Sequence, residues 1–282
     1  MAEAMRALDL DVTLVDHGAS ILRILDSEMS TLVASCLATN GVTVQYERDV
    51  TALRGAEAVE EVIFADGSSL PADTVVVGVG VEPNVEIARN AGIALGESGA
   101  IRVDSAQRTS QSHVYAAGDC AEARHLVLGR DVHIPLGTTA NKQGRAAGAN
   151  MVGGSATFGG VVGTMVSKVF NSAFARTGLT QTQADEAGLR ARSVLVEVAS
   201  RAGYYDSPPT IHARMTFEED TGRLLGAQLY GDDTVAKRID VAATALHARM
   251  TVEDFTHLDL SYTPPFSPVF DPLMVAANVA LR

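Results

Sequence analysis

The sequence predicts an α/β protein, with partial Rossmann-like nucleotide-binding architecture followed by an α+β domain. Three observations predict it. Met1, Ala4, Met5 and Leu8 recur at helical spacing and lead into the short apolar run Val12, Leu14, Val15, which ends in an acid, Asp16; that is the second half of a nucleotide-binding βαβ unit. Short strand and helix patterns then alternate as far as residue 152. Near residue 153 the texture changes: GGSATFGG (153–160) reads as a linker, and longer strands followed by helices come after it, an α+β pattern rather than more Rossmann repeats.

Each element has its own signal. Met29, Leu32, Val33, Cys36 and Leu37 form a helical stripe that Asp26 or Ser27 can cap and Asn40-Gly41 can stop. VTVQY (42–46) predicts a strand. VEEVIF (59–64), the turn Ala65-Asp66-Gly67 and SSLPADTVVVGVG (68–80) predict a β-meander feeding a fully buried strand. A helix is expected over 83–92, closed by Gly92, with short strands over 101–104 and 113–119. Residues 137–151 form a helix rich in small residues, which implies that something approaches it closely. Beyond the linker, VSKVFNSAFART, SVLVEVAS, TIHARMTFEED and RLLGAQLYG read as strands, with EEDTGR (218–223) as a hairpin turn. Thr180-x-x-Gln183 is a capping box, and 232–250 is a long amphipathic helix.

Composition narrows the function. At 282 residues and 46% hydrophobic content the chain can fill about two domain cores. A net charge of −12 argues against a nucleic-acid partner, because phosphate binding needs clustered Lys and Arg. No run approaches the roughly 18 apolar residues of a membrane span, and no signal peptide is visible. Cys36 and Cys120 lie far apart and in no CxxC pair, which suits a reducing, cytoplasmic setting. The seven histidines show no metal spacing.

Several residues could carry chemistry. Asp16, at the carboxyl end of a strand, is placed to bind the ribose hydroxyls of a dinucleotide and to favour NADH over NADPH; a surface Asp ending any strand reads the same way. Arg23 makes a weaker case for a 2′-phosphate. VVVGVGVEPN (75–84) puts glycines where a flat ring or phosphate could approach, or is a plain β-to-α turn. In TSQSHVYAAGDCAE (109–122), Ala-Ala-Gly-Asp allows close approach: Asp119 could accept from a polyol, and the next turn could offer N–H groups to phosphate, unless it is simply a tight turn with a capping Asp. Cys120 and Cys36 read as small hydrophobes. Near the C-terminus, Pro264-Pro265 would hold Tyr262 and Phe266 rigidly, either as a tuned general acid or as a clamp that packs the tail.

In this order, VTLVD, ADTVVVGVGVEPN, TSQSHVYAAGDCAE, TTANKQGRAAGANMVGG and SYTPPFSPVFDPLMVAANVA resemble the FAD-dependent pyridine nucleotide–disulfide oxidoreductases, in the branch of coenzyme A-disulfide reductase, NADH oxidase and NADH peroxidase. The resemblance covers the whole chain. It implies most of an NAD(P)-binding domain over 1–95, the returning part of an FAD domain over 96–152, and an α+β dimerisation domain over 153–282 that would make a homodimer. It implies that the segment Thr109 to Asp119, Gly118 included, lines FAD, with Asp119 on the ribityl and pyrophosphate side. Leu136, Gly137 and Thr138 would lie by the isoalloxazine, Gly80 by the nicotinamide of NADH or NADPH, and Asn141 near a thiol or disulfide substrate. Tyr262 matches the tyrosine that reaches the partner subunit's active site, and Tyr204 or Tyr205 a second active-site tyrosine. No His–Glu pair stands near the C-terminus, which favours the single-cysteine branch. Phe270 occupies a place where coenzyme A-disulfide reductases often have Lys, which puts a CoA-phosphate contact there in doubt. The family's FAD glycine motif, redox cysteine and NAD glycine loop would fall before Met1, so the expectation is an N-terminally truncated enzyme. The implied activity is hydride transfer from NAD(P)H through flavin to a disulfide, peroxide or oxygen. The alternative is a non-catalytic dimerising module or one half of a split flavoenzyme.

Overall fold

The computed structural model describes residues 1–282 and divides into two compact units: residues 1–79, 165–245 and 249–282, and residues 80–164 with 246–248. In the first unit the chain begins with α1 (Ala2–Arg6), which ends before Leu8 because Asp9 takes a left-handed turn at φ 58°. β1 (Val12–Val15) pairs in parallel with β2 (Val42–Gln45), Val12 opposite Val42, and α2 (Ser27–Thr39) is the crossover. Met29, Val33 and Leu37 are buried as their spacing predicts. Gly41, at φ 78°, ends the helix. β3 (Val50–Arg54), β4 (Glu61–Phe64) and β5 (Ser69–Pro71) make an antiparallel meander, β3 being a strand that the sequence pattern did not reveal.

The expected buried strand over 68–80 is not formed beyond Pro71. Residues 74–81 have no hydrogen-bonded neighbour, and Val77, Val79 and Val81 are 69%, 91% and 70% exposed. Three valines in a row supply strand propensity, but a buried strand needs a ladder partner, and β1 and β2 pair only with one another.

The second unit holds α3 (Glu86–Asn90), the short hairpin β6 (Ala123–His125) and β7 (Arg130–Val132), and α4 (Gly137–Met151). α4 has the expected boundaries, whereas α3 is shorter than 83–92. The strands expected over 101–104 and 113–119 reduce to isolated bridges, Ile101 with Leu95 and Ala121, and Arg108 with Tyr115. His113 sits at φ 61°, which breaks an extended run at its start.

The chain then returns to the first unit. β8 (Met165–Val169), β9 (Ser172–Gly178), β10 (Ala191–Ala199), β11 (Thr210–Glu218) and β12 (Leu224–Gly231) form a five-stranded antiparallel sheet in the order β10-β11-β12-β9-β8, with α5 (Gln181–Glu186) between β9 and β10. The Thr180–Gln183 capping box forms as predicted. α6 (Val235–His247), α7 (Val252–Thr256) and α8 (Pro272–Ala280) follow; α8 lays its buried Leu273, Met274, Ala276 and Ala277 against the sheet's β10 and β11.

α2 joins this sheet through one core in which Ile21, Leu25, Met29, Val33 and Leu37 meet Val169 and Phe174. Asp26 is the N-cap residue of α2, yet its side chain does not cap. The buried carboxylate instead accepts from Gln228 Nε2 at 2.5 Å and from the Gln181 amide at 3.2 Å, and it pairs with Arg214 at 2.9 Å. Arg176, also buried, donates to the Ile24 carbonyl at 2.7 Å and to Gln183 Oε1 at 2.9 Å. Burial pulls its guanidinium down to about 10, and the charge of Asp26 opposes that shift.

Candidate functional site

The Ala-Ala-Gly-Asp segment is a tight turn in the second unit. Gly118 holds φ 86°, a conformation that any side chain would strain, and the Ala121 amide closes the turn on the Gly118 carbonyl at 2.9 Å. The turn is anchored from α4. Gln143, fully buried, accepts from the Gly118 amide and donates to the Glu122 carbonyl, both at 2.9 Å. His133 reaches the Asp119 carbonyl at 2.7 Å. With its backbone fixed this way, Asp119 presents an exposed carboxylate, and the amides of Asp119 and Cys120 donate to no group of the chain.

The first turn of α4 stands against this turn, since a Cβ at Gly118 would lie 3.6 Å from Ala140 Cβ. Leu136 is its N-cap, no side chain caps it, and Ala140 donates the first intrahelical bond to Leu136. The amides of Gly137, Thr138 and Thr139 are therefore open at the positive end of a 15-residue helix. Open donors and a carboxylate acceptor on two adjoining backbone turns suit a ligand that carries phosphate or carbonyl oxygens together with hydroxyls. FAD has this chemistry, so the residues present fit it.

Of the other predicted residues in this unit, Asn141 is exposed at the start of the second turn of α4. The Thr109 hydroxyl is taken up within its own turn, donating to the Val114 carbonyl at 3.1 Å. Gly80, at φ 100°, is exposed with open space around it. Cys120 Sγ faces the Ala117 carbonyl at 3.5 Å, the bland environment expected of it. Gln143 and His133 were not recognisable in the sequence. Each acts on backbone atoms 14 or more residues away, and nothing local marks such a contact.

In the first unit, Asp16 follows β1 and its carboxylate accepts from the Gly18 amide at 2.8 Å, which leaves its second oxygen without a hydrogen-bond donor from the chain. Arg23 faces His17 at 2.9 Å rather than Asp16. The two tyrosine segments meet: Tyr204 and Tyr262 share a hydrogen bond between hydroxyls at 3.2 Å, and Tyr205 does not join it. The bond with Tyr204 pushes the Tyr262 phenol above its ordinary value of 10.0, with desolvation and the neighbouring phenol's charge adding to it. The neutral form is the favoured one, so Tyr262 keeps its proton to higher pH. Replacing Tyr204 by Phe should bring the Tyr262 titration back down toward 10, read as phenolate absorbance against a Tyr262→Phe blank.

The fold defines an α/β protein with a parallel β1–β2 pair crossed over by a helix and a five-stranded antiparallel sheet in an α+β arrangement. The family model of the pyridine nucleotide-disulphide oxidoreductases matches residues 1–144, and the model of that family's dimerisation domain matches residues 164–273. The chain belongs to the pyridine nucleotide-disulphide oxidoreductases. It is 39% identical over 280 residues to the CoA-dependent NAD(P)H sulfur oxidoreductase of Pyrococcus abyssi, which covers 99% of this chain and 62% of that protein. It is 35% identical over 286 residues to the NADH oxidase of Methanocaldococcus jannaschii, covering 100% and 62%. The structure of a NAD-dependent persulfide reductase from A. fulgidus superposes with a TM-score of 0.95 at 42% identity, over 99% of this chain and 52% of that one. The chain thus spans about 62% of the length of these curated relatives.

Proposed function

We propose that the chain is part of an FAD-dependent NAD(P)H oxidoreductase acting on a sulfur, peroxide or oxygen acceptor, and that its domains run over 1–95, 96–152 and 153–282. The observation that carries this reading is the Gly118–Asp119 turn locked against the open N-terminus of α4. Bound FAD would supply the two-electron relay from a nicotinamide to the acceptor. Asp119 would hold the cofactor's hydroxyl chain, and the Gly137 and Thr138 amides would receive electronegative oxygens of the flavin or phosphate. Asn141, exposed beside that helix end, is the residue for acceptor contact. Tyr262, hydrogen-bonded to Tyr204, would hold a proton at its hydroxyl for a departing thiolate or oxyanion. The names of the relatives, a sulfur oxidoreductase, a persulfide reductase and an NADH oxidase, support the acceptor class.

Asp16 supports NADH over NADPH, because its carboxylate suits ribose hydroxyls and repels a 2′-phosphate. Replacing Asp16 by Ala should shift the ratio of kcat/KM for NADPH over NADH upward by about tenfold, the worth of roughly one charge-assisted hydrogen bond. An unchanged ratio would remove Asp16 from the site.

The dimerisation-domain match supports a homodimer. Phe266, Val269 and Phe270 on the C-terminal tail are 76%, 64% and 58% exposed, an apolar surface of the kind obligate interfaces cover. Light scattering at micromolar concentration should give a dimer, and a clean monomer would contradict it. No helix of the chain is long and apolar enough to cross a membrane. Two free cysteines suit the reducing cytoplasm proposed for the enzyme.

A further inference from the structure

The Tyr204–Tyr262 contact joins two segments 58 residues apart. Tyr204 is 79% exposed and Tyr262 45%, so side-chain burial alone does not hold the two phenols together. A single exposed hydrogen bond between neutral hydroxyls is too weak to order two loops. The order has to come from backbone anchors beneath them.

One buried side chain supplies both anchors. Arg238, on α6, is 8% exposed. Its Nη2 donates to the Ser200 carbonyl at 2.7 Å and to the Phe266 carbonyl at 3.2 Å. Nη1 donates to Asp271, and Nε to Thr234 Oγ1 at 3.3 Å. Ser200 is the base of the Tyr204 loop, which it closes by donating to the Pro209 carbonyl at 2.8 Å. Phe266 lies four residues after Tyr262, and its amide turns back to the Thr263 carbonyl at 2.9 Å. Asp271 caps α8, accepting from the Leu273 amide at 3.0 Å. The guanidinium fork therefore holds the foot of each tyrosine loop on one nitrogen while its charge is neutralised by the residue that starts the last helix. Only a planar group with several donors can span these acceptors, and a lysine ammonium has the charge but not the reach in two directions.

We infer that Arg238 is the positioning residue that aligns Tyr204 with Tyr262, acting through the backbone at Ser200 and Phe266. This deepens the reading that the tyrosine pair serves the acceptor, and rests on it for its functional meaning. The alignment itself can be tested without cofactor or turnover.

The test is proximity cross-linking in the full chain, with Tyr205→Phe as the background. A photo-oxidant that generates tyrosyl radicals should yield a Tyr204–Tyr262 dityrosine, quantified by peptide mass spectrometry and absent from Tyr204→Phe and Tyr262→Phe. Arg238→Lys keeps the charge beside Asp271, and the pair Arg238→Met with Asp271→Leu replaces the buried ion pair by apolar groups, a change that usually preserves folding. Both should lower the cross-link yield about fivefold or more, well below their melting temperatures, as expected when a buried hydrogen-bonded anchor is lost. Unchanged yield in either folded variant would overturn the inference, as would a loss that only tracks the unfolded fraction. A wild-type chain without the cross-link would overturn the pairing too. Failure of the flavin reading would appear elsewhere, as wild-type protein that cross-links normally yet takes up no FAD.

Discussion

Asp119→Ala should purify without FAD from the whole enzyme and yet fold normally. The carboxylate is exposed and has no partner within the chain, so its loss costs little stability. What disappears is the acceptor for the cofactor's hydroxyls, a hydrogen bond to a charged group that contributes about 1.5–3 kcal/mol. A companion variant, Gln143→Leu, attacks the same turn from beneath. It leaves the Gly118 amide and the Glu122 carbonyl unpaired in a buried place. That should cost about 2–4 kcal/mol, divided between folding and flavin affinity. Visible flavin absorbance per mole of purified protein checks both. Stoichiometric FAD in Asp119→Ala would show that the 118–119 turn is not a flavin site.

The second large effect concerns stability. Asp26→Leu should lower the unfolding free energy by about 3 kcal/mol or more, read from urea denaturation at neutral pH. Asp26 is the negative centre between two arginines, the partly buried Arg214 at 2.9 Å and the buried Arg176, whose ionisation burial already disfavours. Without it, the buried Arg176 cation loses its compensating charge, Arg214 loses a 2.9 Å partner, and Gln228 loses an acceptor at 2.5 Å. Glu28 still meets Arg214 at 3.1 Å, but from a half-exposed position where an ion pair is worth little. A loss below 1 kcal/mol would mean that the carboxylate does not organise this cluster.

The sequence was most legible where the signal is local. The α4 helix follows from one local, proline-free run rich in small residues, and the Thr180–Gln183 box from two residues three apart in one helical turn. The same logic missed α7, whose box uses Asp254 rather than a longer acid or amide at its third position. It also missed α8, where Pro272 sits in the first turn that tolerates proline and Asp271 caps. Strands were over-read at 74–80 and 113–119, because β-branched residues declare a preference while pairing is decided by a neighbour elsewhere in the chain. Among the candidate residues, Asp119 in the second unit and Tyr262 in the first were each legible as chemically unusual residues in stiff settings. Their supports, Gln143, His133 and Arg238, were not, because each acts on backbone carbonyls or amides that any residue could provide.

The central claim is that this chain carries the flavin-holding turn of an NAD(P)H-dependent oxidoreductase. Anaerobic addition of NADH to the FAD-loaded whole enzyme tests it most directly. The account predicts that the wild-type flavin absorbance bleaches at about 1 s⁻¹ or faster. Wild-type protein that takes up no FAD, or whose bound flavin stays oxidised in the presence of NADH, would contradict it.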